Sequence, residues 1–165
     1  MTTPSAAAPC VRHAGGVSGA SGDGWVEGPD GARYWGRYGA AGLLALSPDR
    51  EVLLQHRAEW SHFGGTWGIP GGARHEHESA FEAALREANE EAGVPGGALA
   101  FRFSEVLDLG YWTYTTVVAD ALERFEPVLA DQESIELRWI PLADVAGYAL
   151  HPRFAEAWPA LHARL

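Results

Sequence analysis

One segment restricts the fold more than any other, because it carries both a helix start and a helix stop. Ser79 and Glu82 form the S-x-x-E capping pattern, and Gly93 followed by Pro95 supplies the termination signal. Between them Phe81, Ala84, Leu85, Ala88 and Ala92 recur at helical spacing, which predicts one buried stripe. A helix with a single apolar stripe needs a flat apolar partner, and the flanking segments read as strands. "WVEGPDGARYW" sets turn chemistry between two short alternating runs and predicts a hairpin over residues 25–36. Strands are also expected near 40–47 and 51–57, on either side of Pro48 and Asp49, and at "LAFRFSEVLDLG", "YWTYTTVVADAL" and "IELRWI". Helical segments should run from "LADV" to the end, with Pro159 interrupting the last of them. The twenty residues before the long helix read as loop, and the glycines of "FGGTWGIPGG" allow close approach of backbone to a ligand. The order of elements gives an α/β class, a mixed sheet covered by helices.

At 165 residues one domain is expected. Residues 1–23, rich in Ala, Gly, Ser, Thr and Pro without periodicity, read as a flexible tail, and 24–165 as the domain. The lone Cys10 cannot form an internal disulfide, which fits a reducing, cytoplasmic setting. The N-terminus has no basic start followed by an apolar run, and no window approaches about 18 apolar residues. Neither a secretory signal nor a membrane partner is therefore expected. Formal charge is -10, which argues against a duplex nucleic acid, because there is no basic stripe to release counterions. A small phosphorylated ligand stays compatible if a metal supplies positive charge locally. All twelve basic residues are arginine, a bias that points to no function.

The stretch "REANEEAGV" is locally unfavourable. Glu87, Glu90 and Glu91 stand three and four residues apart at the negative end of the helix dipole, where like charges cost a few tenths of a kcal/mol per pair and acids roughly 0.3 to 1 kcal/mol more. Helical geometry sets the three away from the apolar stripe, so they are expected to face outward together. Several carboxylates on one helix face, opposite a glycine-rich turn, suit a hard divalent cation, Mg²⁺ or Mn²⁺.

Read from Gly72, the run "GARHEHESAFEAALREANEEAGV" resembles the signature of the Nudix hydrolases, G-x5-E-x7-R-E-U-x-E-E-x-G-U with U apolar. Gly72, Glu78, Arg86, Glu87, Glu90, Glu91 and Gly93 match every fixed position, and Ala88 and Val94 fill the apolar ones. A chance match is on the order of 10⁻⁹ per starting position, so coincidence is not the explanation. The lead-in "GTWGIPGG" is also similar, and the resemblance runs from about Gly39 to the strand at Trp139. It implies a Nudix-type α/β/α sandwich with a mixed sheet and a loop-helix-loop catalytic motif. It further implies cleavage of a nucleoside diphosphate linked to another group, by attack of water on phosphorus with Mg²⁺ or Mn²⁺.

Carried onto this chain, the resemblance makes Glu90 and Glu91 the main metal ligands, with Glu87 and the backbone carbonyl of Gly71 or Gly72 beside them. Arg86 would orient the glutamates and Glu78 brace the loop. A general base is expected in "ADQESIELRW", with Glu133 ranked first and Glu136 second. Where many relatives carry a basic residue directly after the two glycines, this chain has Ala73 and then Arg74, the candidate for a phosphate contact. His75 and His77 share that loop and read as solvated. Among Trp60, Phe63, Trp67, Trp112 and Tyr114, one or two are expected to stack on a base. Tyr111 lies where diadenosine polyphosphate hydrolases tend to place a tyrosine, so Tyr111, Trp112 and Tyr114 join Arg74 as substrate-binding candidates. The competing reading is a non-catalytic sensor of a nucleotide or sugar on the same fold, a class that usually loses the motif glutamates retained here. A third reading, isoprenoid isomerase chemistry, would need a core cysteine, and Cys10 is badly placed for that. The identity of the linked group, and the choice between monomer and homodimer, stay open.

Overall fold

The computed structural model describes residues 20–165, so Cys10 and residues 1–19 of the expected tail lie outside the described residues. Residues 20–23 are tied to the domain. Glu76 N donates to the Ala20 carbonyl at 3.0 Å, and Arg37 N to the Gly22 carbonyl at 2.8 Å.

The strands are β1 (Trp25–Glu27), β2 (Arg33–Trp35), β3 (Ala40–Leu46), β4 (Glu51–Arg57), β5 (Trp67–Gly68), β6 (Gly71–Ala73), β7 (Leu99–Asp108), β8 (Thr113–Ala121) and β9 (Ser134–Pro141). Helix α1 spans Ala80–Ala92 and α2 spans Pro152–His162. Strands β1 and β2 form the expected separate hairpin, with Trp25 opposite Trp35. The main sheet runs β5-β4-β3-β8-β7, with β6 added to β3 and β9 to β4. It is mixed: β3 and β8 run parallel, and the other pairs are antiparallel. Helix α1 lies in the connection between the two parallel strands, as a parallel pair requires.

Strand β3, "AAGLLAL", is buried along its whole length because both faces are covered. On one face Ala41, Leu43, Leu53, Val117 and Trp139 pack with Ala83, Ala84, Ala88 and Ala92 of α1. On the other, Leu44, Val52, Leu54, Val118 and Ile140 pack with Phe154, Trp158 and Leu161 of α2. The result is the α/β/α sandwich. Helix α1 starts as its sequence predicts: Glu82 N donates to Ser79 Oγ, and Ser79 N to Glu82 Oε2. It ends at Gly93 in the left-handed conformation, φ 63°.

Four expectations are corrected. Phe81 is 39% exposed and meets Phe101 edge-on, so the buried stripe is Ala83, Ala84, Ala88 and Ala92, with Leu85 only partly covered. Small alanines lower the selectivity of the stripe, and the position of β3 and β6 decides which residues are covered. The predicted loop before α1 contains β5 and β6, two- and three-residue strands too short for an alternating pattern to reveal. "LADV" leads only into a 3₁₀ turn at Val145–Gly147. Finally, α2 passes through Pro159 without interruption. Phe154, Trp158 and Leu161 hold both sides of the proline on the sheet, and Pro152 at its first turn is already set for helical φ. Among the described residues no helix is long and apolar enough to cross a membrane.

Candidate active site

Strand β6 brings backbone against the carboxylates of α1, and its glycines are dictated by contact. A Cβ on Gly71 would stand 2.5 Å from the Ala41 carbonyl oxygen, and one on Gly72 2.8 Å from the Glu87 carboxylate. The bare backbone lets Gly71 N donate to Glu91 Oε2 at 3.0 Å. Glu91 is 6% exposed, on the buried side of the helix. The acids therefore do not face outward together: Glu90 is exposed, Glu87 half-buried and Glu91 buried. Burial tolerates Glu91 because its carboxylate has a backbone donor. Desolvation, reinforced by the nearby charge of Glu87, lifts its pKa to about 8. Burial also raises Glu87, while Arg86 opposes the rise.

Arg86 is the hub of the loop. Its Nε and Nη2 donate to the two Glu78 oxygens at 2.8 and 3.0 Å, and Nη2 also reaches the Ala73 carbonyl at 2.9 Å. Nη1 donates to Glu87 Oε1 at 2.7 Å and Glu90 Oε2 at 3.3 Å. Fork geometry of this kind fixes carboxylates in direction as well as charge. Glu78, held below the usual carboxylate range by Arg86, also accepts from His75 N at 2.9 Å. Arg74 donates to the Glu78 carbonyl through Nη2 at 2.8 Å, which leaves it bracing the same loop. His77 has a left-handed backbone, φ 66°, and its Nε2 lies 3.6 Å from Glu76.

The loop before β9 approaches the helix. Carboxylate oxygens of Glu91, Asp131 and Glu133 lie within 4.8 Å of one another. Asp131 Oδ1 accepts from Glu133 N at 3.0 Å, and the Glu133 carbonyl accepts from Ala58 N at 2.8 Å. The adjacent Ser134 Oγ accepts from the buried Gln55 Nε2 at 2.6 Å. Glu136 is not brought here. It alternates with Leu137 and Trp139, which pack toward α1, and it is paired with Arg138. Asp131 was not anticipated from sequence, although its place two residues before Glu133 in an acidic loop was the available signal.

The aromatic candidates divide. Trp112 Nε1 donates to the carbonyls of Trp35 and Gly36, both at 3.2 Å, and Tyr111 lies 5.9 Å from Tyr34. Both support the hairpin. Tyr114 fills the space over Gly42 beside Ile69, and burial raises its pKa. Trp67 is buried and stacked on His56 at 4.6 Å. Trp60 and Phe63 are exposed.

The donor set fits a hard divalent cation, being made of carboxylate oxygens without sulfur or imidazole. Among the described residues Glu91 is bonded to no arginine, and its raised pKa marks an acid whose charge is disfavoured by burial and by Glu87. Glu91 shares its group with Asp131 and Glu133 and feels the charge of Glu87, whereas Glu87 and Glu90 are held by Arg86 and lie outside that group.

A mixed sheet between two helices, with an arginine-organised glutamate loop at one end, is matched by the NUDIX domain family over residues 36–162. The chain is 52% identical over 150 residues to a Mycobacterium tuberculosis protein provisionally named 8-oxo-dGTP diphosphatase 3, covering 85% of this chain and 69% of that one. It is 43% identical over 152 residues to a nucleoside triphosphate pyrophosphatase/Nudix hydrolase fusion protein of Bifidobacterium longum, of which the match spans 32%. Among solved structures, the M. smegmatis Nudix hydrolase RenU superposes with a TM-score of 0.80 at 50% identity, over 87% of this chain and 94% of that one. The chain belongs to the Nudix family and is a hydrolase of phosphorus-containing acid anhydrides.

Proposed function

We propose that this hydrolase cleaves a phosphoanhydride bond in a nucleoside diphosphate carrying a further group, with Mg²⁺ or Mn²⁺ as cofactor. The M. tuberculosis relative makes 8-oxo-dGTP the first substrate to try. The observation that carries the reading is Glu91: a buried carboxylate bonded to Gly71 N, grouped with Asp131 and Glu133 oxygens and without a basic partner among the described residues. Glu91 and Glu90, with Glu87 and the Gly72 carbonyl, would hold the ion. When bound, a divalent cation supplies positive charge against the phosphoryl oxygens and makes water more acidic.

The chain's own groups do the rest. Arg86 keeps Glu87 and Glu90 in fixed directions, and Glu78 holds Arg86. Glu133 takes the proton from the attacking water, its carboxylate held near Glu91 by the Ala58 and Asp131 bonds to its backbone. Glu136, committed to Arg138, takes no part. Arg74, whose Nη1 makes no hydrogen bond to the described residues, is the proposed contact for a substrate phosphate.

The test is hydrolysis of 8-oxo-dGTP, other nucleoside triphosphates and dinucleoside polyphosphates in ¹⁸O water. The label should appear in a phosphate product. Glu133→Gln should lower kcat by about 10²-fold or more with little change in metal affinity, since general-base catalysis typically contributes 10²- to 10⁴-fold. Label on a sugar carbon, or turnover that survives excess EDTA, would defeat the reading.

A further inference from the structure

The hairpin β1–β2 precedes the region matched by the family, yet it meets a loop that reaches the carboxylates. The loop between β4 and β5 is joined to the acidic cluster at one end, where Ala58 N donates to the Glu133 carbonyl. Further along it carries Phe63 in the left-handed region at φ 56°, a conformation that a bulky residue adopts only under constraint. The constraint is visible: Thr66 Oγ1 donates to the Phe63 carbonyl at 2.6 Å, Ser61 Oγ to the Ala58 carbonyl at 2.7 Å, and Gly64 N to the Ser61 carbonyl at 2.9 Å. Burial does little to offset the strain, because Phe63 as a residue is 47% exposed. A strained residue that gains so little from packing is held for another purpose.

Its neighbours make a continuous aromatic ledge. Phe63 meets His151, at the start of α2, at 4.7 Å and His62 at 4.2 Å. His62 lies 5.4 Å from Trp25, which lies 5.1 Å from Trp35. Trp25 and Trp35 stay 43% and 41% exposed. The hairpin is fixed in place. Trp112 holds the Trp35 carbonyl, Arg153 Nη2 donates to Tyr34 Oη at 3.2 Å, and Gly36 N donates to the Gly24 carbonyl at 2.8 Å. One loop thus connects a carboxylate cluster suited to a phosphate–metal group with exposed, rigid ring surface suited to a planar heterocycle.

We propose that the ledge is a stacking subsite for the nucleobase, with Trp25 and Phe63 as specificity-determining residues supplied by the hairpin and the strained loop. This rests on the hydrolase reading above for the placement of the phosphates. Exposed aromatic rings stack on any base face, so the ledge provides affinity for flat ring systems with little hydrogen-bond discrimination.

The test uses the full chain and separates binding from turnover. Trp25→Ala should raise KM for the nucleotide substrate roughly ten- to a hundredfold and change kcat far less, while Trp25→Tyr restores most of the affinity. Phe63→Gly relieves the left-handed strain, so it should melt no lower than wild type while its KM rises, a combination that a structural role would not give. Guanosine monophosphate in EDTA should quench tryptophan fluorescence saturably, about tenfold more weakly in Trp25→Ala. Binding without any hydrolysis would uphold the ledge and defeat the hydrolase reading. Hydrolysis with KM unchanged in both Trp25→Ala and Phe63→Gly would overturn the ledge.

Discussion

Glu91 sits where an acid ordinarily destabilises a fold, and that makes its protonation measurable. Its pKa is about 8 in the fold, against 4.5 for an ordinary glutamate. Between those values the folded chain keeps a proton that the unfolded chain has released, so stability falls as pH rises. The contribution is complete below about 4.5 and is lost through about 8. His151 has the opposite sign: burial lowers it to about 4 from 6.5, so its contribution is complete above 6.5. Above 6.5 the Glu91 effect is therefore unopposed by His151. The metal-free protein should melt at progressively lower temperature from pH 6.5 to beyond 8, whereas Glu91→Gln should be much flatter. A wild-type profile as flat as the variant's would refute the assignment. The sequence disclosed Glu91 through its fixed spacing from Gly72, Glu78 and Arg86. Its burial was legible too, though the outward-facing expectation overlooked it: on a helical wheel Glu91 lies about 20° from Ala84, seven residues earlier, at the edge of the apolar stripe, and the path of β6 then brings Gly71 N over it. Asp131 was illegible, since its role depends on where a loop distant in sequence returns.

At the scale of elements, what could be read depended on how far each segment's pattern was its own. Helix α1 carried both caps, and β3, β4, β7, β8 and β9 carried apolar or alternating runs long enough to show. Strands β5 and β6 did not, because two or three residues, three of the five being glycine, present almost no side-chain pattern. Pro159 illustrates the converse, a strong local rule outvoted by packing. It leaves the Ala155 carbonyl without the amide donor four residues on, and interior proline typically costs about 3 kcal/mol. Pro159→Ala should restore that donor with the Trp158 and Leu161 anchors unchanged. The expected gain is about 1 kcal/mol or more, visible as a rise in Tm of roughly 2 to 4 °C per kcal/mol for a chain of this length. An unchanged or lower Tm would mean that the proline has no net cost in α2.

For the whole molecule, a charge of -10 and a compact carboxylate site act in opposite senses on a ligand. The long-range field repels a polyanion over many phosphates, while one to three local divalent ions can offset the few charges of a short polyphosphate. Millimolar Mg²⁺ or Mn²⁺ should therefore raise the Tm of the wild type by mass action, by about 2.7 kcal/mol of stability at a hundred times Kd. The double variant Glu90→Gln, Glu91→Gln should show no comparable shift, and equal shifts in the two proteins would exclude these residues as the ligands. Duplex DNA should neither bind nor be cut under the same conditions. The parallel pairing of β3 with β8, from Ala40 opposite Tyr114 to Leu46 opposite Asp120, has a kinetic consequence. These strands are remote in the chain, and the glycine strand β6 and helix α1 lie within the span that joins them. Closing that span is entropically slow and is rewarded only when the helix covers the sheet, so the step that completes the core is also the step that gathers the glutamates. Catalytic competence during refolding should then appear with the late, cooperative phase and have no faster precursor.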